Sequence, residues 1–234
     1  ACTSGRCFYR PIQPFIPVEF AVSAYRFGHS QVPDSLSVND QFNDGEPVTL
    51  FDPAEKNDSD PDDLRGGTRA ARRYVDWSRF FKSDNGHVQP SRKIDTVLAS
   101  SLFSLPSGSP SLAERNLLRG RAFGLPSGQK VAEVMGVDPL SRQEIEDTLP
   151  SDKLSSMDEL GFVESTPFWF YVLLEANAQN DGEYLGAVGG RIVAEVLVVE
   201  HLLHGEVAGK LKDIGEAEPG EPFAVAANLE LLGG

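Results

Sequence analysis

Cysteine, methionine, tryptophan and histidine are scarce in this 234-residue chain: two, two, two and four. The two cysteines, Cys2 and Cys7, cannot build a zinc site alone, and the histidines show no supporting pattern. Their spacing leaves open a small disulfide loop or pairing with another chain. No run approaches the ~18 consecutive apolar residues that cross a bilayer, so no membrane span is expected. Positive charge is also short. There are 21 Lys and Arg against 35 Asp and Glu, a formal net charge of −14. Such a chain repels phosphate backbones, which argues against nucleic acid as a partner. The sequence opens on Ala1 without a methionine or an apolar leader. The expectation is that a leader was removed or that the chain is part of a longer polypeptide. With the cysteine pair, this leans toward an extracellular or periplasmic place.

What is present is an ordinary globular composition, 40% apolar and 24% charged, long enough to bury a core. Residues 1–17 carry prolines 11, 14 and 17 and are expected to be an extended lead-in, with Pro17 opening a helix over 18–32. Residues 33–66 are polar, acidic and loop-rich, with "EPVTLF" a candidate short strand. From 68 to 204 helical patterns dominate. "TRAARRYVDWSRFF" repeats apolar positions at helical spacing. "SLAERNLLRGRAFG" starts with Ser111 and Glu114, and "LSRQEIEDTL" with Ser141 and Glu144, both capping-box patterns. "TPFWFYVLLEANAQ" opens with Thr166 as cap and Pro167 at the first helical position. "AVGGRIVAEVLVVEHLLHG" is apolar on nearly all sides and therefore packed between neighbours. The expected class is mostly α, as one partial domain over 1–234 with a tail over 205–234.

Two of these segments carry residues a plain core helix does not need. Projected on 3.6 residues per turn, "VEFAVSAYRFGHSQV" places Val18, Val22, Tyr25 or Arg26, and His29 on one face. In "SLAERNLLRGRAFG", Leu112, Asn116, Arg119 and Phe123 share a face. An asparagine in mid-helix lowers propensity by about half a kcal/mol against alanine, and a buried amide needs a partner. A buried, hydrogen-bonded histidine and a snorkelling arginine would explain each helix singly. Together, two arginines beside two hydrogen-bonding groups suit an anionic ligand, because the guanidinium fork fits a carboxylate.

"PFIPVEFAVSAYRFGHSQV" and "SLAERNLLRGRAFGLPSGQKVA" resemble the proximal half of the animal-type heme peroxidase superfamily, its bacterial members in particular. Their order is kept, with His29 and Asn116 separated by 87 positions. "QPSRKIDTVLASSLFSLP", "TPFWFYVLLEA" and "LGAVGGRIVAEVL" resemble later segments of that family, so the likeness covers most of 8–200. The resemblance implies the C-terminal half of the peroxidase helical fold and heme b as cofactor. It makes His29 the iron ligand and Asn116 the acceptor for its other ring nitrogen, and sets Arg26 and Arg119 near the heme propionates. Gly28 is expected to allow close approach of the macrocycle. The family's fatty-acid dioxygenases carry a tyrosine three residues before the histidine; here Arg26 stands there and Tyr25 lies four before, which favours a peroxidase.

The distal histidine, arginine and calcium loop of the family lie N-terminal to the proximal helix, and nothing in the residues before His29 resembles them. No catalytic residue is therefore identified on this chain, and His87, His201 and His204 are not expected to supply one. The expected function is the heme-binding half of a peroxidase that reduces hydrogen peroxide and oxidises small donors through a ferryl heme, in the setting of oxidative stress. A companion chain or segment would supply the distal half. The alternatives are an interaction protein that keeps the scaffold without catalysis, and a fatty-acid dioxygenase.

Overall fold

The computed structural model describes residues 15–39, 47–50, 73–82, 88–105, 108 and 111–203. Cys2, Cys7, His87, His204, most of the 1–17 lead-in, much of 33–66 and the 205–234 tail lie outside them, as does the side chain of His201. As expected, helix dominates. Residue contacts divide the chain into two compact units, one of residues 1–30, 93–96 and 116–234, the other of 31–92 and 97–115. The division falls inside α1 (Leu112–Ala122).

The first unit is a helical body of α2 (Gly128–Met135), α3 (Arg142–Thr148), α4 (Ser151–Glu159), α5 (Phe168–Asn180) and α6 (Ala187–Leu203). Local chemistry starts and stops these helices. Ser127 caps α2 by accepting from Lys130 N–H, and Gly136 ends it at φ 69°. The capping box of Ser141 and Glu144 forms on α3 with both hydrogen bonds present. In α1, Glu114 N–H donates to Ser111 Oγ at 3.3 Å. The core gathers around α5, whose Phe168, Tyr171, Val172 and Leu174 pack with Ile145 of α3 and Val188 of α6. Full burial of such side chains stabilises by roughly 1.5–3 kcal/mol each. Tyr171 keeps its polar end satisfied by accepting from Leu140 N–H at 3.0 Å.

Between α5 and α6 the chain reverses through Asp181 and Gly182, both at positive φ (50° and 74°). Gly182 is required twice over. Its φ suits glycine, and a Cβ there would sit 3.0 Å from the Ile94 carbonyl. The same peptide accepts from Ile94 N–H at 2.8 Å, which ties residues 93–96 to the turn.

Four expectations about local structure change. Residues 18–32 are not a regular α-helix: a π-helical turn over Glu19–Ser23 runs into a 3-10 turn over Ala24–His29. Pro17 is not the first helical residue but supplies the first carbonyl, accepting from Ala21 N–H at 3.0 Å. The change of pitch breaks the projected face, so Val22 is buried while Val18 and Tyr25 are exposed. Thr166 does not cap α5. Its hydroxyl donates to the Phe162 carbonyl and accepts from Gln129 Nε2, so the cap position falls to Pro167, which has no side chain to offer. Within "TRAARRYVDWSRFF" the described residues hold no α-helix: Arg73 lies in a 3-10 conformation and a short 3-10 turn follows at Trp77–Arg79, capped by Asp76.

The second unit is built from short pieces tied by side chains. Strands β1 (Ser35–Leu36) and β2 (Val48–Thr49) pair antiparallel, Ser35 opposite Thr49 and Leu36 opposite Val48. The candidate strand in "EPVTLF" thus forms in its central two residues. Asp34 accepts from Ser100 N–H at 2.7 Å and meets Arg92 at 3.3 Å. Gln89 closes a reciprocal pair with the Ser37 backbone at 2.8 and 2.6 Å.

Candidate functional site

All four candidate site residues, Arg26, His29, Asn116 and Arg119, belong to the first unit. The 3-10 turn carries Arg26 and His29; α1 carries Asn116 and Arg119. Asn116 is 1% exposed, which accounts for an asparagine in mid-helix: its amide is spent on a partner rather than on water. That partner is His29, with Asn116 Nδ2 and His29 Nδ1 2.9 Å apart.

The contact has two proton arrangements. With Nδ2 donating to Nδ1, the ring proton sits on Nε2. Turning the amide by 180° puts Oδ1 in the same place, accepting from Nδ1–H and leaving the Nε2 lone pair free. The second arrangement is the one that serves a metal. The half-buried ring favours its neutral form, because burial first and the Arg26 charge second hold His29 below its ordinary 6.5. A neutral imidazole with one nitrogen engaged is the state a metal requires.

Arg26 Nε donates to the Ala21 carbonyl at 3.0 Å. Burial, then the charge of Arg119, lowers its pKa from the ordinary 12.5, although a guanidinium stays charged. Among the described residues neither arginine forms an ion pair. Two cations that bear on each other without an intervening anion make a setting that an added carboxylate would relieve. Leu117, Leu118 and Phe123 are exposed on α1 and just past its end, and a Cβ built at Gly28 would meet nothing within 4 Å. A half-buried imidazole, two arginines without an ion pair among the described residues and open space at Gly28 are groups that a flat ring bearing carboxylates could use. The fit with heme is good.

Sequence reasoning misses two buried residues of α5, one of which meets the candidate site. Trp169 of α5, 4% exposed, donates its indole N–H to the Arg26 carbonyl at 3.3 Å. Glu175, fully buried on the same helix, accepts from Val188 and Gly189 N–H at the start of α6. A carboxylate inside "FWFYVLLEANA" is the available signal for Glu175; nothing in the sequence singles out Trp169. Tyr25 stacks on Phe20, ring centroids 4.6 Å apart. Among the described residues no group of three or more His, Cys, Asp or Glu side chains could hold a metal ion, and no helix is long and apolar enough to cross a membrane.

The family model described as animal haem peroxidase matches residues 6–195. No curated protein and no solved structure matches the chain.

Proposed function

On the premise that this chain belongs to the animal heme peroxidase family, we propose that it is the heme-binding half of a peroxidase, with His29 as the iron ligand. The observation that carries the proposal is the 2.9 Å contact between Asn116 and His29. With its Oδ1 turned to the ring, the Asn116 amide accepts from Nδ1–H, leaves the Nε2 lone pair free and holds the ring against rotation. Bound heme would supply redox-active iron able to take oxidising equivalents from hydrogen peroxide and pass them to a small donor. The chain's own residues do the rest. His29 stays neutral through burial and the nearby Arg26 charge, Asn116 fixes its proton on Nδ1, and Arg26 with Arg119 receives the carboxylates.

A companion chain or segment supplying a distal histidine and arginine completes the proposal. The exposure of Tyr25, Leu117, Leu118 and Phe123 is consistent with it, because large uncovered apolar side chains gain from being covered. Calcium, where the family uses it, would belong to that companion. Arg26 at the third position before His29, and Tyr25 stacked on Phe20, favour a peroxidase over a fatty-acid dioxygenase.

The test is a haemin titration of the full chain followed in the Soret region, with His29→Ala alongside, and iron analysis of the natural particle. A Soret shift that depends on His29 is expected, with donor oxidation once the companion is present. A particle without iron, and identical spectra for the chain and His29→Ala, would leave the interaction-protein reading in its place.

A further inference from the structure

The segment that carries His29 is the least regular helical stretch of the first unit. A π turn widens the ladder over Glu19–Ser23, a 3-10 turn tightens it over Ala24–His29, and Ser23 at their junction sits at φ −130°, ψ −78°. Both ladders have poorer hydrogen-bond geometry than an α-helix, and short irregular turns open more readily than long regular ones. A ligand side chain mounted there needs an outside hold. Asn116 holds the ring. It does not hold the backbone from which the ring hangs.

The backbone is held from α5. In a 3-10 turn the carbonyl of residue i accepts from the N–H of residue i+3, so the Arg26 carbonyl is the partner of the His29 peptide N–H. That carbonyl has a second lone pair, and the Trp169 indole N–H donates to it at 3.3 Å. Trp169 is set in the first turn of α5, 4% exposed, directly after buried Phe168. α5 is the helix around which the core packs, so it offers a firm anchor. Ser30 holds the next peptide, its Oγ donating to the Phe27 carbonyl at 2.8 Å. The two peptides that lead into Gly28 and His29 are thus both held by side-chain donors, one of them from a helix 143 positions away in sequence.

We propose that Trp169 is a positioning residue for His29: its indole N–H fixes the Arg26 carbonyl and so sets where the imidazole stands relative to Asn116. This rests on the heme-ligand reading of His29 for its purpose, but not for its measurement, which is made on the heme-free chain.

The test removes one proton donor and little else. In a Trp77→Phe background the chain keeps a single tryptophan, Trp169, and Trp77 is 66% exposed, so its loss is mild. Replacing the remaining tryptophan by benzothienylalanine puts sulfur where N–H was, at nearly the same shape. Two readouts follow in the heme-free chain at one fixed pH: amide hydrogen exchange over residues 27–30, and the NOE between the His29 ring and the Asn116 side-chain amide. Loss of one such bond is expected to speed exchange over 27–30 by roughly threefold to tenfold. The NOE is expected to weaken as the loosened turn lets the ring move away from its 2.9 Å partner. Exchange at Val172 and Val193 in the core stays unchanged.

Unaltered exchange and an unaltered NOE overturn the proposal. So does exchange that rises equally at 27–30, Val172 and Val193, since that is a packing role and not a positioning one. Failure of the unsubstituted chain to bind haemin in a His29-dependent way overturns the heme-ligand reading instead, and the heme-free readouts still decide whether Trp169 positions the ring.

Discussion

The carboxylate of Glu175, fully buried on α5, accepts from Val188 N–H at 2.9 Å and from Gly189 N–H at 3.0 Å at the start of α6. It satisfies donors that a helix N-terminus otherwise leaves unpaired. Those donors favour the charged form and burial opposes it. Burial wins, and the group is pushed up from 4.5 to about 7.

The sign of the pH dependence follows. Between pH 4.5 and about 7 the folded chain holds a proton on Glu175 that the unfolded chain has lost. This contribution to stability is complete below pH 4.5 and fades as pH rises toward 7. A gap of this size corresponds to roughly 3 kcal/mol. Glu175→Gln keeps an acceptor for the α6 N–H groups without the titration. Urea unfolding at pH 5 and pH 8 should show the variant gaining on the natural chain by on the order of 2–3 kcal/mol at the higher pH. A gap between the two that does not change with pH would refute the assignment.

Gly128 marks where α2 crosses α5. A Cβ on it would lie 1.9 Å from Tyr171 Cγ, and Tyr171 cannot yield because its hydroxyl is tied to Leu140. Gly128→Ala is therefore expected to cost about 2–3 kcal/mol as an overpacked core. Gly28→Ala is the control, since its Cβ meets nothing within 4 Å and should change stability by no more than about 0.5 kcal/mol. Thermal melts of the two variants decide the matter. Equal midpoints would show that the contact is relieved cheaply.

Much of the fold and the site is legible in the sequence, for reasons that differ by residue. Ser141 and Glu144 announce α3 because a capping box is local chemistry, settled within four residues. The apolar run of α6 announces burial, and the structure buries it at Val188, Gly189, Val193 and Val196. The pairing of His29 with Asn116 is implied only by resemblance, and the two atoms meet at 2.9 Å. The π and 3-10 turns under His29 stay hidden, since apolar spacing does not report the pitch of the backbone that carries it. Thr166 misleads for a related reason. A hydroxyl in cap position has other partners to choose from, and Gln129 and the Phe162 carbonyl are brought to it by tertiary packing. Trp169 is invisible because its hydrogen bond spans 143 positions.

Asn116→Asp tests the bracing of the imidazole without heme. A carboxylate about 3 Å from a histidine ring favours the protonated ring and raises its pKa by about 1–3 units. The natural ring is held below 6.5 by burial and by Arg26, so the change runs opposite to the existing shift. An NMR titration of the His29 ring should place the variant's midpoint above that of the natural chain. Coincident curves would mean that the side chain at position 116 does not face the ring in solution.

Under the proposed function, Arg26 and Arg119 make binding of the carboxylates testable separately from binding of iron. If they receive the heme propionates, haemin should bind better than its dimethyl ester, which has the same ring and iron but no charge to offer. Exposed guanidinium–carboxylate contacts are modest, so each arginine is expected to contribute roughly a twofold to fivefold preference. Arg26→Gln with Arg119→Gln should bring the two ligands to equal affinity, chiefly by weakening haemin. Added salt should shrink the preference of the natural chain while leaving the double variant unmoved, because screening acts only where charges attract. Affinities come from Soret titrations at two ionic strengths. A double variant that still prefers haemin would place the propionates elsewhere and leave the two arginines without a ligand.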